Sequence, residues 1–85
     1  MRPVIICTEY RGVFFGYAAD TSGEIVFLRG AKMAIYWGTT QGIAQLAYSG
    51  PTESSRIGAP ADVELRKVTA VFEVTEEAEI RWKAA

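Results

Sequence analysis

Apolar residues alternate or cluster along most of the chain in runs too short for helices and rich in β-branched and aromatic side chains, which predicts strands. Val4 to Tyr10 is apolar on both alternating faces, as in a central strand. A tight connection through Arg11-Gly12 leads to Val13–Ala19, where Val13, Phe15 and Tyr17 share one face. Gly16 lies on the other face, where a neighbouring backbone can come close. These two runs read as a hairpin. Asp20-Thr21-Ser22-Gly23 is a dense turn signal, and Glu24–Arg29 reads as the third strand. Ala31–Trp37 fits a strand through Ala31, Met33, Ile35 and Trp37, and a helix through Met33, Tyr36 and Trp37. The short span between Gly30 and Gly38 and the Ile-Tyr-Trp triplet favour the strand. A turn at Gly38–Gly42 then feeds Ile43–Tyr48, completing a second hairpin.

The pattern changes at Gly50–Pro60, where prolines, glycines and hydroxyl residues surround one large apolar residue, Ile57. Beyond this long loop, Val63 and Leu65 share one parity, and Val68, Ala70, Phe72 and Val74 the other. Such a phase change near Arg66-Lys67 is what a β-bulge or sharp bend produces. Thr75 is a good helix N-cap. Glu76, Glu77 and Glu79 follow at the positive end of the helix dipole, with Arg81 and Lys83 near the negative end. Glu77–Arg81 and Glu79–Lys83 are i, i+4 pairs in the favourable order. A terminal helix from about residue 75 is expected to dock through Trp82. The predicted fold class is mainly β: a curled antiparallel sheet or small barrel of five to six strands with a short C-terminal helix, forming a single domain over residues 1–85.

Composition then narrows the chemistry. The chain has 85 residues, 49% of them hydrophobic, with nine Lys or Arg against ten Asp or Glu. A formal charge of −1 supplies no general basic field for nucleic acid, although Arg11, Arg29, Lys32 and Arg56 could form a local patch. With no His and one Cys, a Ser-His-Asp triad, a His-ligated zinc site and an intrachain disulfide are all excluded. Neither an enzyme nor a cofactor is expected. Glu73, Glu76, Glu77 and Glu79 lack the oxygen-ligand loop of a calcium site, and helix-dipole compensation accounts for most of them, so no metal is expected. Cys7, in a strand, reads as an inert buried thiol. The apolar run after Met1-Arg2-Pro3 is too short for a secretory signal, and no window reaches a membrane span, so a reducing cytoplasm is the expected compartment.

Two candidate sites remain. Thr52, Ser54, Ser55 and the Arg56 guanidinium, with glycine-freed backbone N–H groups, have the chemistry to hold an anionic group such as a phosphate. The spacing is not that of a P-loop. The alternative reading is a surface loop held by Pro and Ser/Thr turns, or one ordered against another subunit. Tyr36 and Trp37 could stack on a base or anchor a partner if exposed, and are core if buried. Strands that are apolar on both faces exceed what one helix can cover, which favours a homo-oligomer.

The segments Tyr10–Tyr17, Ala31–Trp37, Gly50-Pro51-Thr52 to Arg56-Ile57-Gly58, and Leu65 with Val68–Val71 together resemble a family of small proteins of unknown function encoded by tailed bacteriophages and prophages. The resemblance covers nearly the whole chain and carries no catalytic residues. It implies a phage accessory protein in the host bacterial cytoplasm, or a virion component. As an accessory, the protein is expected to bind a small anionic, nucleotide-like ligand or to block a host defence protein. As a virion component, it is expected to be a capsid-decorating or tail-associated subunit.

Overall fold

The computed structural model describes residues 1–37 and 42–85, the Arg11 side chain apart. Strands β1 (Arg2–Thr8), β2 (Gly12–Ala18) and β3 (Ile25–Tyr36) are followed by helix α1 (Ala44–Tyr48). Then come β4 (Arg56–Ile57), β5 (Ala61–Arg66), β6 (Val68–Glu73) and helix α2 (Glu76–Ala84). The six strands form an antiparallel sheet in the order β4-β3-β2-β1-β6, with β5 pairing β3, and the sheet does not close into a barrel.

The first hairpin pairs Arg2↔Ala18 through Thr8↔Gly12 as the alternation predicts. One face of β1 and β2 carries Ile5, Val13 and Phe15, which pack with Leu46, Ala47, Ala78 and Trp82 from the two helices. The opposite face carries Val4, Ile6 and Ala18, which pack with Val26, Leu28, Ala31 and Leu65. Strand β3 produces the second layer. Its ladder to β2 ends at Tyr17↔Arg29, and residues before that pair only with β5. A register irregularity between Leu28 and Ala31 lets this half swing over the sheet. Asp62 fixes the bend at Gly30 (φ +60°), accepting from the Gly30 N–H at 2.9 Å and from Arg29 at 3.2 Å. Those two bonds hold the Asp62 carboxyl below its ordinary range. Gly16 lies under the bend as expected: a Cβ there would meet Leu28 Cβ at 3.0 Å and the Ala31 Cα at 3.3 Å.

Three expectations are corrected. Glu24–Arg29 and Ala31–Trp37 are not separate strands; Ile25–Tyr36 is one bent strand. The strand reading of Ala31–Trp37 therefore holds, but its proposed partner does not, because Ala44–Tyr48 is helical. Ile43, Leu46 and Ala47 lie at i, i+3, i+4 and pack on the core, a helical stripe that short-range alternation disguised. A five-residue helix is marginal alone. Here its C-terminal carbonyls are taken up by the α2 region: Leu46 O accepts from the Trp82 indole at 2.9 Å, Ala47 O from Thr75 N–H at 2.9 Å, and Tyr48 O from the Thr75 hydroxyl at 2.7 Å. The turn expected at Gly38–Gly42 lies, except for Gly42, outside the described residues.

The third correction concerns the surplus apolar faces. Val4, Ile5 and Ile6 are all 0% exposed within one chain, because β3 and β5 cover the face that the helices leave. The first hairpin therefore supplies no argument for assembly. The phase change at Arg66-Lys67 is real: Lys67 adopts φ +56°, and there the chain passes from β5, paired with β3, to β6, paired with β1. The terminal helix also follows expectation. The Thr75 hydroxyl accepts from Ala78 N–H at 3.2 Å, and the Glu77–Arg81 and Glu79–Lys83 pairs form at 3.5 and 3.7 Å.

Candidate functional site

The Gly50–Pro60 segment is more ordered than its composition suggests. Gly50 (φ +85°) and the buried Pro51 press the chain onto α2. Thr52 to Ser55 then close a turn, with Ser55 N–H donating to Thr52 O at 3.0 Å and Thr52 N–H to Ser55 Oγ at 3.1 Å. The Thr52 hydroxyl lies 3.1 Å from Ser54 Oγ and 3.3 Å from Ser55 Oγ. Side-chain turns of this kind are the usual preference of adjacent Ser and Thr. Next, β4 lies along the edge of β3 with Ala34↔Ile57 and Tyr36↔Arg56 in register, and Gly58 N–H donates to Met33 O at 2.9 Å.

That pairing separates inside from outside. Ala34 and Ile57 pack in the core, whereas Arg56 and Tyr36 are exposed, Tyr36 at 60%. The irregularity between Ala34 and Tyr36 makes this possible by turning Tyr36 out of the alternation that buries Ala34. Tyr36 and Arg56 are register partners at the end of the β3–β4 pair, and both are exposed to solvent. Trp37 behaves differently: it is half-buried and packs against the core with Phe15 and Trp82.

The predicted set therefore splits into two adjoining surfaces. Tyr36 and Arg56 form an aromatic–cation edge. Thr52 and Ser54, with Pro51 and Glu53, instead line an open cleft of about 660 Å³ against Arg81 of α2. Ser55 is half-buried in the turn, and Trp37 serves the core. Arg81 was not a sequence candidate, because its spacing from Glu77 fully accounts for an Arg at that helical position.

The other charges locate the unusual one. Arg2, Arg29, Arg66, Lys67, Arg81 and Lys83 each pair with a carboxylate. Lys32 donates to the carbonyls of Trp82, Lys83 and Ala85 at the end of α2. Among the described side chains, Arg56 is the cation with neither kind of partner. The local basic patch considered from sequence is thereby weakened, since Arg29 and Lys32 are already engaged. The Glu cluster is dispersed too: Glu73 pairs with Arg2, Glu77 with Arg81, and Glu79 with Lys83. No group of three or more Cys, Asp or Glu among the described residues is placed to hold a metal ion. Cys7 is half-buried, and burial raises its thiol pKa, away from the reactive thiolate.

One perturbed group lies away from this edge. The Tyr17 hydroxyl donates to Glu79 at 2.6 Å, and burial, that hydrogen bond and the Glu79 charge push its pKa up to about 12. Because the folded value exceeds the ordinary phenol value of 10.0, Tyr17 contributes stability that is complete below about pH 10 and lost as pH rises through 12. In an absorbance titration of the native protein, one phenol should ionise near pH 12, and Tyr17→Phe should remove that component. A late component that survives the substitution contradicts the assignment.

These features define a small open-sheet module whose outer edge presents an aromatic ring and an uncommitted cation. The chain belongs to the family described as a domain of unknown function (DUF6948), which matches residues 1–82. No curated protein and no solved structure matches it. No helix among the described residues is long and apolar enough to cross a membrane.

Proposed function

We propose that the protein is a non-catalytic binding module, acting as a homo-oligomer, that takes a small anionic, nucleotide-like ligand at the Tyr36–Arg56 edge. The observation that carries this reading is the state of Arg56. Its guanidinium is exposed and unpaired, in register with an exposed phenol, while the other described cations are engaged. A guanidinium binds phosphate or carboxylate through two parallel hydrogen bonds, and an adjacent aromatic face stacks on a planar ring. A ligand with both groups uses both residues. Thr52, Ser54 and Ser55 keep the β4 segment in place, and Thr52 and Ser54 add hydroxyls beside Arg81 in the adjoining cleft.

The sequence resemblance supports a phage or prophage accessory role in the host cytoplasm, where such a module sequesters its ligand or occupies a host defence protein. A panel of linear and cyclic nucleotides, followed by melting temperature, tests the ligand. At least one nucleotide is expected to raise the melt, and absence of a shift across the panel removes the sequestration reading. A second reading, a virion structural subunit, is favoured by the exposed apolar side chains Ile25, Phe27, Met33 and Ile35 on β3. Mass spectrometry of purified particles separates the two, since a virion subunit must be present in them.

A further inference from the structure

We draw no further inference here: the strongest candidate, the open cleft of about 560 Å³ beside the end of β2 and the first half of β3, lined by Met1, Ile25 and Phe27, is an unpartnered apolar surface, and nothing in the structure shows what covers it.

Discussion

Trp82→Ala is expected to lower the melting temperature by roughly 15–30 °C, the largest loss from any single substitution considered. Trp82 is 0% exposed, and its ring stacks on Phe15 at 5.1 Å with an interplanar angle of 4°. Removing a buried aromatic costs about 3–5 kcal/mol in transfer and cavity terms. The same change strips the indole donor from Leu46 O, an end carbonyl of α1. Both helices depend on this residue, since α2 docks through it and α1 is bonded by it. A domain this small has a total stability near the lower end of about 5–15 kcal/mol, so much of it is at stake. Trp82→Phe retains the stacked ring and loses the N–H, and should recover more than half of the deficit. Circular dichroism melts decide the matter, and a Trp82→Ala melt within about 5 °C of wild type contradicts the packing described.

Gly50→Ala should be the second most damaging change, at about 2–4 kcal/mol, although it adds a single methyl group. Two effects coincide. Residue 50 has φ +85°, which a Cβ disfavours, and the new atom would lie 2.8 Å from Arg81 Cβ, 3.1 Å from Ala78 O and 3.3 Å from Ala78 Cα. Two of those obstacles are helix backbone, which cannot rotate aside. Relief requires the Gly50-Pro51 segment to lift from α2, carrying the Thr52–Ser55 turn and the cleft with it. The substitution should therefore lower the melt and also weaken any ligand held across that cleft. Gly30→Ala is the informative comparison: φ is +60° but nothing lies within 4 Å of the added atom, so it isolates the backbone cost. Equal losses at the two positions would mean that the close packing on α2 contributes nothing.

Much of this architecture was legible in the sequence where local chemistry decides local structure. The β1–β2 hairpin followed from alternation, the α2 cap from Thr75, and the switch between β5 and β6 from a parity change across Arg66-Lys67. Trp82 was recognisable as the docking residue because a nine-residue helix needs one. The Ile43–Tyr48 segment was not legible, because six residues satisfy alternation and a helical stripe equally. What decided it was tertiary: carbonyl partners at Thr75 and Trp82, 27 and 36 residues away. The covering of β1 by β3 was hidden for a similar reason, since a bend at Gly30 is visible but its direction is not.

The candidate site shows the same division. Hydroxyls, Arg56, Tyr36 and Trp37 were found by residue type, yet their separation into an exposed edge, an adjoining cleft and a core tryptophan depends on the pairing of β4 with β3. Arg81 enters the cleft from α2 only because Gly50 brings the loop against that helix. The unpaired state of Arg56 emerges only once the partners of the other described cations are known.

Isothermal titration of the nucleotide that most raises the melting temperature, with wild type and Arg56→Ala in parallel, tests the central claim most directly. Loss of a bidentate charge-assisted contact predicts binding weaker by about tenfold or more in the variant, with the melt of the free protein unchanged. Equal affinity in the two proteins would place the ligand elsewhere and contradict the account.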